Sequence, residues 1–305
     1  MRTNLVKILL RFCAPLPLPL LHGFGVLIGW GLALFPNRAR RDTATNICLC
    51  LPDLSETRQR RLARNSLIEA GKTLTETSAL WFRPGHKALR LIRDIEGAEL
   101  VDNALQQGKG VILATPHLGA WEAAGLYGAA TYSMTCLYRP LRITEIEDLV
   151  RNARNRLGAN HVPTTVPGIR RLYKTLWQGG TVAMLPDQEP QADAGIFAPF
   201  FGIPAWTMVL LARLSLRTGA PVIFAWCERL AWGRGYHLHF RAAPGDLYSG
   251  NTETAVIAMN RTIERLVREC PAQYQWSYRR FRTRPAGEGA FYVDKHQSVA
   301  MQRLP

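Results

Sequence analysis

The chain has 305 residues, 47% hydrophobic and 20% charged, which allows one large domain plus an extension and excludes a disordered protein. Its 38 basic and 23 acidic residues leave a net charge of +15, so an anionic partner is favoured: nucleic acid, an anionic membrane surface or an acidic carrier protein. Six scattered cysteines with no CxxC pair argue against a disulfide framework and point to a reducing compartment.

Residues 12–35 form a run of 24 without Asp, Glu, Lys or Arg. At about 1.5 Å per residue such a run is long enough to cross a bilayer as a helix. Pro15, Pro17 and Pro19 predict an irregular start. The basic cluster Arg38, Arg40 and Arg41 follows, which by the positive-inside rule keeps the remainder cytoplasmic. No small-residue cleavage site closes the run, so residues 1–41 are expected to be an uncleaved membrane anchor, spanning the bilayer or lying in its interface. Gly25 and Gly29 match the GxxxG helix-packing spacing, a pattern common in apolar segments.

Residues 55–82 predict a helix, with Ser55 at its cap and Leu62, Leu67, Ala70 and Leu74 at helical spacing. Arg58, Arg60, Arg61 and Arg64 make its start basic, suiting either solvent or anionic headgroups. Residues 42–95 are read as a basic helical segment packing on a catalytic domain over 96–290, with a tail over 291–305. Within that domain, strands are expected at 111–115, 134–138, 181–185, 222–226 and 236–240. Helices are expected at 121–130, 145–157, 168–178, 207–218 and 252–269. The alternation predicts an α/β fold with a mostly parallel sheet flanked by helices.

Thr115-Pro-His-Leu-Gly-Ala-Trp-Glu122 closes the first of these strands and opens a helix, the sheet edge where open α/β folds place their chemistry. Residues five apart on one helix point about 140° apart. Pro116 and Gly119 keep His117 in the turn, so His117 and Glu122 are able to meet. A neutral imidazole takes a proton from an acceptor hydroxyl, and a carboxylate fixes its tautomer. With no GxSxG, no serine nucleophile is implied. His237 and His239 share a strand face, but no third ligand lies near them in sequence, and no metal site is expected.

Several ordered blocks carry a resemblance. They are Pro116–Glu122, Tyr138-Arg139-Pro140, Arg154, Leu185-Pro-Asp187-Gln188, Phe197–Gly202 and Pro271–Pro285. In this order the chain resembles the late acyltransferases of lipid A biosynthesis, members of the lysophospholipid acyltransferase superfamily. The resemblance implies a His117–Glu122 catalytic dyad and a functional Arg154 that holds an oxyanion or phosphate. It also implies Asp187, either binding substrate or orienting Arg154 or a loop, and Arg139. Arg279 and Arg280 are expected to face lipid phosphates, with Trp276, Tyr278 and Phe281 at headgroup level. Acyl carrier protein would be the donor, a Kdo-bearing lipid A precursor the acceptor, and the cytoplasmic face of the bacterial inner membrane the location. Neither cofactor nor nucleic acid is implied.

Overall fold

The computed structural model describes residues 2–139 and 144–292. Pro140 and most of the expected tail, 293–305, lie outside the described residues.

The apolar amino terminus is two helices, α1 (Arg2–Cys13) and α2 (Leu18–Leu34), broken where Pro15 and Pro17 remove backbone donors. The basic cluster opens a further helix, α3 (Arg38–Cys50), capped by the Asn37 side chain, which accepts the Arg40 N–H. It was not anticipated, because a run of arginines carries no apolar periodicity. The long basic helix is α4 (Glu56–Phe82). No single helix among the described residues is long and apolar enough to cross a membrane; α2 and α3 together reach the length but are bent by 80°.

Then follow α5 (Gly85–Leu89), β1 (Ile92–Glu96), α6 (Ala98–Gln106), β2 (Val111–Ala114), α7 (Trp121–Tyr132) and β3 (Thr135–Tyr138). After them come α8 (Thr144–Asn155), β4 (Asn160–Pro163), α9 (Val166–Trp177) and β5 (Thr181–Met184). The chain continues through β6 (Gly195–Phe200), β7 (Ile203–Met208), α10 (Leu210–Thr218), β8 (Val222–Arg229), β9 (Tyr236–Ala242) and α11 (Thr252–Glu269).

Seven strands form one sheet in the order β1-β9-β8-β2-β5-β3-β4. Only β8 and β9 pair antiparallel within it. β2 and β5 are buried throughout, as strands covered on both faces must be, which is why they read as unbroken apolar runs. The sheet starts at Ile92, slightly before residue 96, and α3 sends Ile47 and Cys50 into the main core.

One helix expectation is corrected. Residues 203–208 are strand β7, paired with β6 as a hairpin, and the helix begins only at Leu210. Phe201 and Gly202 both take positive φ (50° and 78°), the backbone of a tight two-residue hairpin turn. Pairing with β6 overrides the helical spacing of 207–210.

The Gly25/Gly29 spacing proves to be a close-packing seam against α4. A Cβ on Gly71 would stand 2.1 Å from the Gly25 carbonyl oxygen, and one on Gly29 2.3 Å from Ile68 Cα. Gly71→Ala is therefore expected to lower stability by about 1–3 kcal/mol through overpacking, read as a fall in unfolding temperature. An unchanged melting curve would mean that α2 does not seat on α4 at this spacing.

Candidate active site

β2 and β5 are adjacent and parallel, with Ala114 opposite Met184. The chain then continues three residues from each to His117 and Asp187. Register alone thus brings the two side chains to the same point on the carboxyl edge of the sheet. His117 Nδ1 is 2.8 Å from Asp187 Oδ1, and the His117 backbone N–H donates to Asp187 Oδ2 at 2.9 Å. Burial pushes the Asp187 carboxyl up, but the His117 ring and these hydrogen bonds outweigh it and hold the group below its ordinary range. An ionised carboxylate only accepts, so Nδ1 carries a proton, and in the neutral ring the lone pair is then on Nε2. The Gln188 amide nitrogen lies 3.2 Å from Nε2 and donates to it, while also donating to Gln275 Oε1 at 3.0 Å. Trp121 stands edge-on to the imidazole at 5.2 Å.

The His117 turn is clamped on both sides. Ala120 N–H donates to the Cys227 carbonyl, and Gly119 N–H to the Gln273 carbonyl. The His117 carbonyl accepts from Gln275 N–H at 3.0 Å. Gly119 has φ +63°, and a Cβ there would lie 2.1 Å from the Cys227 oxygen, so no other residue fits.

Glu122 does not supply the imidazole's carboxylate. It opens α7, accepts two hydrogen bonds from the Arg154 guanidinium of α8, and accepts the Trp81 indole N–H at 3.0 Å. Burial again pushes this carboxyl up, and Arg154 outweighs that and keeps it lowered. Asp187 likewise orients His117 rather than Arg154. The expected partners are exchanged because Asp187 comes in register with His117, while α7 turns Glu122 toward α8.

Arg139 is exposed and borders the same cleft. Arg279 and Arg280 do not face lipid. Arg279 Nε donates to Asp42 Oδ2 at 2.8 Å. Arg280 is 3% exposed, donates to the Trp206 carbonyl and Thr207 Oγ1, and covers the Phe200 ring. Trp276 and Phe281 are buried in the main core. The segment carrying them is held from α3, where the Asn46 amide donates to the Trp276 and Tyr278 carbonyls, both at 2.7 Å. Its amphipathic composition suggests a membrane face, but in the fold the segment buttresses the His117 turn through Gln273 and Gln275.

His161 was missed. On β4, it donates from Nδ1 to Asn155 Oδ1 at 2.6 Å and borders the cleft beside Arg154. Burial, and next Arg154, depress its pKa to about 4, so it is neutral near pH 7. Gln188 adjoins Asp187 in one of the ordered sequence blocks, which makes its contact legible there; His161 lies in a strand too short to show a pattern.

His117, Trp121, Glu122, Tyr138, Arg139, Arg154 and His161 border two adjoining cavities. One, of about 670 Å³, runs under α7 and is walled by apolar or small residues including Leu113, Gly125, Gly128, Met134, Ala225 and Phe240. The other, of about 410 Å³, mixes polar and apolar walls, with Thr73, Thr77, Glu147, Arg151 and Gln275 beside Leu74 and Val150. An imidazole whose Nε2 accepts only an amide N–H at such a junction is able to act as a base toward a substrate hydroxyl, with no protein nucleophile required. Such an arrangement suits an acyltransferase.

The particular family follows from comparison. The profile described as "Bacterial lipid A biosynthesis acyltransferase" matches residues 1–283, and the chain belongs to that family. It is 29% identical over 282 residues to the lipid A biosynthesis palmitoleoyltransferase of Escherichia coli (strain K12), covering 91% of this chain and 90% of that one. The lauroyltransferase of the same organism is 27% identical over 285 residues, 91% and 90% of the two chains. The myristoyltransferase is 23% identical over 252 residues, 82% and 77%.

Proposed function

We propose that this protein transfers a fatty acyl group from acyl carrier protein to a hydroxyl of a Kdo-bearing lipid A precursor at the cytoplasmic face of the inner membrane. The observation that carries the proposal is the position of His117 at the junction of a mainly apolar cavity and one whose walls add the charged Glu147 and Arg151. The acyl chain enters the apolar chamber and the glycolipid headgroup the other. Substrate displaces the Gln188 amide from Nε2. Nε2 then takes the acceptor hydroxyl proton as the oxygen attacks the thioester carbonyl. The C–S bond breaks, and the imidazolium returns its proton to the departing thiolate. Asp187 stabilises the transient imidazolium. Arg154, held by the Glu122 carboxylate that Trp81 in turn fixes, offers its remaining donors to the oxyanion or to a substrate phosphate. Glu122 thus contributes to catalysis through Arg154. Arg139 at the rim steers anionic groups.

In this reading residues 1–41 dock on the membrane. The side of α1 and α2 away from α4 exposes Ile8, Leu9, Phe12, Leu20, Phe24, Leu27 and Leu34. Arg11, Arg40 and Arg41 flank it, exposed. Apolar rings and aliphatics bordered by arginine suit an anionic interface. Phe24→Glu combined with Leu27→Glu is expected to abolish most cosedimentation with anionic vesicles while the melting temperature holds. Undiminished cosedimentation would overturn the docking.

The function is tested by supplying acyl carrier protein loaded with fatty acid together with Kdo-bearing lipid A precursor, and following acylated product by mass spectrometry. Product on this acceptor supports the proposal. Product only on a glycerolipid would move the acceptor, and no turnover on any lipid would refute the enzyme reading.

A further inference from the structure

We propose that Glu96, His237 and His239 form a binding site for one divalent transition-metal ion of the zinc class, away from the His117 site. Alternation along β9 puts both imidazoles on one sheet face. β1 runs parallel beside β9 with Glu96 opposite His239, and β8 runs antiparallel with Glu228 opposite His237. Three neighbouring strands therefore deliver two imidazoles and two carboxylates to one patch. Ligand atoms of Glu96, His237 and His239 all lie within 4.8 Å of one another.

His239 shows the character of a ligand. Its ring is stacked on Trp226 at 4.5 Å and 11°, which fixes its plane. Nδ1 is 3.0 Å from Glu96 Oε2, while Arg241 holds the other Glu96 oxygen at 2.9 Å. Nε2 is buried and has no hydrogen-bond partner, and the residue is 8% exposed. Glu228 Oε2 stands 3.5 Å from Nε2, on the side of the ring away from Glu96. Tetrahedral zinc with bonds of about 2.0–2.1 Å keeps its ligand atoms about 3.4 Å apart, and the 3.0 Å between Nδ1 and Glu96 Oε2 is close to that separation. The His237 ring centroid is 3.9 Å from that of His239, which places a second nitrogen donor beside the first. Two imidazoles with carboxylate oxygens suit zinc and its neighbours better than calcium or magnesium, which prefer oxygen throughout. Bound there, the ion cross-links the edge strand β1 to β9, whose other neighbour β8 carries the Cys227 carbonyl that fixes Ala120.

The test uses full-length protein in detergent, stripped with chelator and titrated with Zn²⁺, with bound metal counted by elemental mass spectrometry. Cobalt substitution should give the visible spectrum of a tetrahedral site. One ion per chain is expected. His237→Gln, at a half-buried position, and Glu96→Gln should each weaken binding by more than about tenfold. Zn²⁺ should raise the melting temperature of the wild type and not of these variants. Melting without metal establishes that they fold. Cys48→Ala and Cys270→Ala should leave the stoichiometry unchanged. Absence of a stoichiometric ion, or full binding retained in His237→Gln, would overturn the site.

Discussion

Replacing His117 with alanine should lower kcat for acyl transfer by about 10²–10⁴-fold, the usual contribution of a positioned base. KM for the donor should change little, because the apolar chamber that takes the chain is untouched. Asp187→Asn is the more telling substitution. An asparagine amide can donate to Nδ1, which moves the ring proton to Nε2 and removes the lone pair that takes the acceptor's proton. Its loss in kcat should approach that of His117→Ala, and the double variant should be no worse than either single one, since the residues act as a unit. Glu122→Gln tests the exchanged pairing. It frees Arg154 without changing the imidazole tautomer, so its effect should resemble that of Arg154→Ala. The measurement is steady-state kinetics with mass-spectrometric product detection. If Asp187→Asn were nearly silent while Glu122→Gln matched His117→Ala, the imidazole would take Glu122 as its carboxylate during turnover.

The largest effect on stability is expected at Glu76. Arg229, 4% exposed, gives two hydrogen bonds to this carboxylate, one to Glu69 and one to Thr73, all from α4. His22 of α2 and the Tyr236 hydroxyl meet the same Glu76 oxygen, at 2.9 and 3.1 Å. Arg229 also donates to the Gly119 carbonyl at 3.2 Å, tying the amino-terminal helices to the turn that carries His117. Glu76→Ala leaves a buried guanidinium short of its main counter-charge, a loss of about 3–5 kcal/mol against a total stability of about 5–15 kcal/mol. Activity should fall with it through Gly119. Replacing both Glu76 and Arg229 with apolar residues of similar volume should recover part of the loss, because no charge is then stranded.

The same pair sets an acid limit. Burial raises the Glu76 carboxyl, but Arg229 outweighs this and brings it from an ordinary 4.5 to about 2. The folded value lies below the unfolded one, so the stabilisation is complete above the ordinary value and is lost as pH falls through 4.5 toward 2. Melting temperatures measured down this range should drop for the wild type and drop less steeply for Glu76→Gln. Equal slopes would show that other carboxylates govern acid unfolding.

Local pattern in the sequence determined much of this protein. Apolar periodicity placed α4 and α11, and β2 and β5 stood out because both faces of each are covered. Pro116 and Gly119 placed His117 in the turn after β2, and the ordered blocks pointed to the family. α3, the β6–β7 hairpin and β4 were harder to read, because arginine-rich, tightly turned or very short elements carry little periodicity. Only the tertiary structure decided which carboxylate meets the imidazole. Glu122 is five residues away but turns with α7, whereas Asp187 is seventy residues away and arrives through strand register. It also decided that Arg280, Trp276 and Phe281 belong to the core rather than to a membrane face, and that the third partner missing from the His237 and His239 pair is Glu96, 143 residues away from His239. Periodicity is a property of neighbours along the chain; charge pairing is a property of neighbours in space, and the sheet order that creates those neighbours is written in no single segment.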